Sequence, residues 1–297
     1  MAVLFVFLVL SLFSGLFSKQ SSSLNTELKI VTNGPSRIIN GNRAQNGQFP
    51  YQLMVRIYGG QFSNETKGTC SGSIVHPNWG LTAAHCIFPT TSANDVRTYE
   101  LRAGSVYPDQ SLQVIRVDSE DAFPHERYNP DTLMNDIALL KVNLLLGLGF
   151  TFVPNRVGSI ELSRLSEAEL VGKYLLVSGF GYIQDRPSNV SPDQLYYTHL
   201  TGISKRECQN AWRSVILPST CFCATDKTSK QSSVCHGDSG GPIVYSFDNG
   251  NKVQIGVVSF GGDPYSLDFM SNMKVVKVQL DVPDIVVKKK MQEIDKK

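Results

Sequence analysis

The chain predicts an all-β protein, a barrel or a sandwich, on three observations. Short apolar, strand-like runs recur along it, Gly, Pro, Asn and Asp separate them, and one stretch alone carries a helix signal. In chain order the strands fall at residues 50–57 (PYQLMVRI), 112–117 (LQVIRV), 173–177 (KYLLV) and 253–258 (VQIGVV). A further run, 276–282 (VKVQLDV), alternates like a strand, although nothing in the sequence sets its register. The helix lies around 204–212, where Ser204 is placed to cap the first turn and Glu207 stands three residues on. No internal repeat or low-complexity segment interrupts this pattern.

Composition excludes several functions. The formal net charge of +2 leaves no electrostatic footprint for nucleic acid. There is no His-Glu-x-x-His, no paired Cys-x-x-Cys and no phosphate-cradling glycine loop, so neither a metal nor a cofactor is expected. Residues 2–17 form an apolar run followed by a polar stretch, which predicts a secretory signal peptide over 1–18, an uncleaved signal anchor being the alternative. No other run is long enough to span a bilayer. Six cysteines in a secreted chain imply a disulfide framework, for which 15 connectivities are open. Asn64 and Asn189 head Asn-x-Ser/Thr tripeptides and are expected glycosylation acceptors.

Chemistry concentrates in residues 234–244, VCHGDSGGPIV. Ser239 stands between glycines and behind Asp238, a setting that frees the backbone to turn and to bring N–H groups close to a substrate. A serine hydroxyl is a weak nucleophile at neutral pH and needs a base for its proton and donors for the oxyanion it creates. The segment LTAAHC, residues 81–86, supplies His85 as the base, since an imidazole titrates near neutrality. Asp136, ahead of the apolar run IALL, is the candidate for orienting that imidazole. His76, His125 and His199 have no such context, and His236 is expected at the entrance to the site.

The order His85, Asp136, Ser239 resembles that of the chymotrypsin-like (trypsin-fold) serine proteases. The resemblance runs from Arg37 to about Gly262 through RIING at 37–41, CSGS at 70–73, HERYNPDTLMND at 125–136 and VSGFG at 177–181, where Phe180 replaces the usual tryptophan. It implies two six-stranded antiparallel Greek-key barrels with the active site in the cleft between them. It also implies His85 as general base and then acid, Asp136 as its orienter, Ser239 as nucleophile, and the N–H groups of Gly237 and Ser239 as the oxyanion hole. The chain then divides into the signal peptide, a pro-segment at 19–37, a protease domain at 38–262 and a divergent tail at 263–297.

The same resemblance implies a zymogen: cleavage after Arg37 frees the α-amino group of Ile38 to pair with Asp238. Ser233 falls at the floor of the specificity pocket, and Ser259, Phe260 and Gly261 form the strand that receives substrate backbone. A neutral floor disfavours Arg and Lys, so large apolar or aromatic side chains are expected, and activation requires a separate, trypsin-like protease. Expected partners are protein or peptide substrates, that activator and protein protease inhibitors, with the enzyme itself a monomer. The implied disulfides are Cys70–Cys86 and Cys208–Cys223, while Cys221 and Cys235 stay open. After Gly262 the family's rim cysteine, last strand and C-terminal helix are not recognisable, so either the tail is a genuine variant or the final coding segment has been replaced, the latter being favoured. A catalytically silent homologue that binds a partner is the rival reading.

Overall fold

The computed structural model describes residues 38, 41–59, 66–87, 97–142, 149–163, 165–182, 193–211, 220–228, 232–261, 275–279 and 291–292. The expected signal peptide and pro-segment with Arg37, and the acceptors Asn64 and Asn189, lie outside them. The elements in chain order are β1 Asn42–Arg43, β2 Gln52–Gly59, β3 Thr66–His76, β4 Trp79–Thr82, α1 Ala84–Ile87, β5 Arg97–Ala103, β6 Gln113–Asp118, β7 Ala122–Pro124, β8 Ala138–Lys141, β9 Glu161–Leu162, α2 Glu167–Leu170, β10 Tyr174–Gly179, β11 Tyr196–Ile203, α3 Lys205–Ala211, β12 Cys221–Thr225, β13 Pro242–Ser246, β14 Lys252–Gly261 and β15 Val275–Gln279. Each strand expected from sequence is present within a few residues of its predicted span.

The first sheet runs β6-β5-β2-β3-β4-β8-β7. Its two outer members are consecutive in the chain and separated only by the 3-10 turn Ser119–Asp121. One bent strand thus reaches both β5 and β8, and six strands go round the first barrel. Period-two alternation makes its inside: in β6 Ile115 and Val117 are buried while Val114 and Arg116 face out. Leu53, Val55, Ile74, Tyr99, Leu101 and Leu140 fill the interior, each buried aliphatic side chain contributing roughly 1.5–3 kcal/mol.

The second sheet closes on itself, because β10-β13-β14-β15-β12 is completed by pairings of β11 with both β12 and β10. Its six strands enclose Leu170, Leu175, Val177, Leu200, Phe222, Ile243 and Ile255. The run at 276–282, whose register was open from sequence, supplies β15 at Val275–Gln279. Two neighbours set that register: Cys221 pairs with Gln279 and Thr225 with Val275 on one side, and Val257 with Gln279 and Gly261 with Val276 on the other. The strand that closes the second barrel therefore comes from the divergent tail.

Between the barrels Phe49, Tyr51 and Met54 pack against Leu176, Phe180 and Val244, so the phenyl ring at 180 is buried in the interface. Two buried polar ties cross the same interface. Ser178 Oγ donates to Gln52 Oε1 at 2.6 Å and Ser73 Oγ to Gln254 Oε1 at 2.7 Å, which satisfies groups that would otherwise be buried without partners. At α3 the expected cap forms: the backbone N–H and the hydroxyl of Ser204 both lie on Glu207 Oε2 at 3.1 and 3.0 Å.

Candidate active site

The side of the site that carries His85 and Asp136 is built by the first barrel. Ala83 and Ala84, both fully buried, let the chain leave β4 and turn at once into α1, which carries His85. Cys86 is bridged to Cys70 of β3 with Cα atoms 6.3 Å apart, so α1 is tied covalently to the barrel wall. Asp136 follows two residues with left-handed backbone, Leu133 at φ 51° and Asn135 at φ 54°. Such conformations are unfavourable for side-chain-bearing residues and persist only where neighbours hold them. Here Asn135 Nδ2 donates to Arg127 O at 2.8 Å and Ile137 N to Asn135 O at 2.8 Å.

That strained approach delivers Asp136 to a position with no solvent exposure, where its carboxylate accepts three hydrogen bonds. His85 N donates to Oδ1 at 2.9 Å, His85 Nδ1 lies 2.8 Å from Oδ2, and Ser259 Oγ donates to Oδ2 at 2.6 Å. An ionised carboxylate only accepts, so Nδ1 carries the proton and Nε2 presents its lone pair. Burial, and then the Asp136 charge, push the Tyr128 phenol above its ordinary pKa. Ser259, expected to bind substrate, spends its side chain on Asp136, which leaves only its backbone for that role. Sequence reasoning missed this contact because it joins residues 123 positions apart and no local pattern marks it.

The side that carries Ser239, the candidate nucleophile, is a tight turn in the second barrel. Gly237 has φ 99° and Gly240 φ 78°, values that strain any residue with a Cβ. Asp238 N donates to Cys235 O at 3.0 Å, Gly241 N to Asp238 O at 2.9 Å and Gly240 N to Val258 O at 2.8 Å. Across the cleft Ser71 N donates to Ser239 O at 2.8 Å. The same carbonyl lies 3.8 Å from Cys86 Sγ, the neighbour of His85, so the segments that carry Ser239 and His85 adjoin. Ser239 is partly exposed, and among the described residues nothing accepts from the N–H groups of Gly237 and Ser239.

Asp238 points the other way, into the protein, and is fully buried. Its carboxylate accepts from Gly181 N and Cys235 N, each at 2.8 Å, and no cation among the described residues reaches it. Glycine at 181 makes room, since a Cβ there would lie 2.5 Å from the carboxylate carbon. Burial raises the carboxyl pKa to about 7 despite the two N–H donors.

Ser233 is buried at 1% exposure and its Oγ has no hydrogen-bond partner among the described residues. A Cβ at Gly261 would stand 3.8 Å from that hydroxyl and 3.0 Å from Val234 Cγ2, so 233 and 261 share one wall. Phe260 and Gly261 pair with Lys277 and Val276 of β15, whereas pairing of β14 with β13 stops at Val257. Among the described residues the disulfides are Cys70–Cys86 and Cys208–Cys223, as the resemblance implied. Cys70, His85 and Cys86 cluster, but the disulfide takes up both sulfurs. His76 and His125 each accept a local backbone N–H, burial lowers the His199 pKa, and His236 is exposed beside the Ser239 turn. No helix among the described residues is long and apolar enough to cross a membrane.

The family model described as Trypsin matches residues 38–274. A collagenase of Hypoderma lineatum is 34% identical over 229 residues, which cover 75% of this chain and 76% of that protein. Trypsin beta of Drosophila erecta is 33% identical over 234 residues, 77% of this chain and 81% of its own. A solved structure of HL collagenase at 1.7 Å resolution superposes with a TM-score of 0.64 at 27% identity, covering 84% of this chain and 97% of that one.

Proposed function

Because this chain belongs to the trypsin family of serine endopeptidases, we propose that it is made as a secreted zymogen and cleaves proteins after large apolar or aromatic residues through an acyl-enzyme. Residues 1–18 direct secretion, 19–37 are the pro-segment, and 38–262 form the protease domain ahead of the tail. The observation that carries the catalytic reading is the 2.8 Å contact of His85 Nδ1 with the buried Asp136 carboxylate, which leaves Nε2 as the base. Ser239 Oγ attacks the scissile carbonyl carbon while His85 Nε2 takes its proton, and the N–H groups of Gly237 and Ser239 receive the oxyanion. Collapse breaks the C–N bond, and the proton passes from His85 to the leaving amine. Water, deprotonated by His85, then releases the acyl group and restores Ser239. No cofactor takes part.

Activation rests on Asp238. In the uncut chain it is a buried carboxyl without a cation among the described residues. Cleavage after Arg37 by a protease of trypsin-like specificity creates an α-amino group on Ile38, charged near neutral pH, as its counter-ion. Ser233 gives the pocket a neutral floor, and an unpaired substrate guanidinium or ammonium there is costly to bury. The enzyme acts as a monomer that protein inhibitors block at the cleft.

The test is turnover of peptide amides bearing Phe, Tyr, Leu, Arg or Lys before the scissile bond, after trypsin cuts at Arg37 and is removed. Phe and Tyr are expected to exceed Arg in kcat/KM by about 100-fold, the range a buried unpaired charge imposes. A preference for Arg overturns the pocket reading. No turnover of any peptide by folded, cleaved protein favours the silent homologue.

A further inference from the structure

We infer that Ser71 is a positioning residue that holds the oxyanion loop in its productive form, an inference that rests on the endopeptidase reading above. Ser71 is fully buried in β3 and uses every polar atom it has at the junction of the two barrels. Its N–H donates to Ser239 O at 2.8 Å, and its carbonyl accepts from Thr82 Oγ1 at 2.8 Å, at the end of the strand that leads to His85. Its hydroxyl donates to Gly237 O at 2.9 Å and accepts from Phe180 N at 3.0 Å. Main chain and side chain thus grip the residues on either side of Asp238.

The consequence follows from peptide geometry. In a trans peptide the C=O and N–H point in opposite directions, so fixing one fixes the other. His236 O accepts from Tyr182 N at 2.7 Å, which turns the Gly237 N–H away from Tyr182. Gly237 O is held by Ser71 Oγ, which sets the peptide on the other side of the same residue. With φ 99° and no side chain, Gly237 has little of its own to resist rotation. Phe180 N occupies one acceptor lone pair of the hydroxyl, and its single proton goes to Gly237 O. Cys70, the preceding residue, is bridged to Cys86 beside His85, so the clamp is anchored to the segment that carries the base.

S71A and S71G both remove the hydroxyl but differ in volume and in backbone freedom, and both keep the N–H bond to Ser239 O. They are compared with the wild-type enzyme after cleavage at Arg37, each rate being divided by the active sites titrated with a fluorophosphonate. The expected result is a fall in kcat of about tenfold in both variants, the size of one lost hydrogen bond, with KM nearly unchanged. Affinity for a peptide aldehyde, which builds an oxyanion at Ser239, falls by the same factor, while affinity for an uncharged aromatic pocket ligand does not move. Unchanged kcat per titrated site in either folded variant, or a rise in KM alone, overturns the inference while wild-type labelling leaves the endopeptidase reading intact. Wild-type protein that folds, is cleaved and does not label overturns both.

Discussion

The two barrels reach six strands by different routes, and the difference divides the catalytic site. The first is closed locally: β6 and β7 are one bent strand, and every member lies between residues 52 and 141. It holds His85 and Asp136 in contact with the chain uncut, braced by a disulfide and by two bonds from His85 to one carboxylate, to which Ser259 of the second barrel adds a third. The second barrel depends on β15, which arrives from the far end of the chain to pair with β12 and β14. It also buries Asp238 without a cation among the described residues, next to Ser239. One half of the site is therefore braced within its own barrel, and the other is closed by a strand from the tail and, on the zymogen reading proposed above, still lacks the counter-ion that cleavage supplies.

Removing one member from each half gives the largest effect. Ser239→Ala in the second barrel and His85→Ala in the first are each expected to lower kcat by about 10⁴- to 10⁶-fold in cleaved enzyme, and the double variant to lose little more, since these residues act as a unit. Single-turnover assays on a peptide ester check this. Truncation after residue 274 removes β15 and opens the second barrel, leaving strand edges on β12 and β14 unpaired. Limited proteolysis is expected to cut the second barrel and spare residues 52–141; uniform resistance would show that β15 is dispensable.

A third prediction separates the halves by pH. With its carboxyl raised from 3.8 to about 7 in the uncut fold, Asp238 keeps a proton that the unfolded chain has already lost between those values. Its contribution is therefore favourable below about pH 4 and is lost as pH rises through 7, a swing on the order of 4 kcal/mol. Urea midpoints of the precursor should fall over that window, and Asp238→Asn should flatten the slope. Cleavage at Arg37, by supplying the ammonium, should hold the carboxyl ionised and abolish the slope over that window, moving any Asp238 dependence below about pH 4. The smallest effect is at the interface: Ser178→Ala strips a buried partner from Gln52 and should lower stability by about 1–3 kcal/mol without changing kcat. Thermal melts and rates on the same preparation test both parts.

Legibility from sequence follows the same division. Residues whose role is local were readable: the alternating strands, the Ser204–Glu207 cap and the glycine turn around Ser239. His85 and Asp136 were each readable as candidates from their flanking residues, but with 51 residues between them their pairing leaned on family resemblance. Ser259 was assigned to the strand that receives substrate backbone, without its side-chain bond to Asp136, and Ser71 was not singled out at all. Both act through contacts between barrels, over 123 and 166 residues, where no periodicity operates. The tail shows the limit from the other direction. Alternation made the run at 276–282 a candidate strand, but its register follows from the edges of β12 and β14, which exist only once the rest of the barrel has formed.

On the zymogen reading proposed above, the half of the site with His85 and Asp136 is preformed, and cleavage after Arg37 completes the half with Ser239. Fluorophosphonate labelling of the full chain before and after trypsin cuts at Arg37, with Ser239→Ala alongside, checks this. Labelling that rises sharply with the cut, in step with release of the Ile38 amino terminus, and is absent from Ser239→Ala is the predicted result. Equal labelling before and after the cut, or none in folded and correctly cleaved protein, would contradict it.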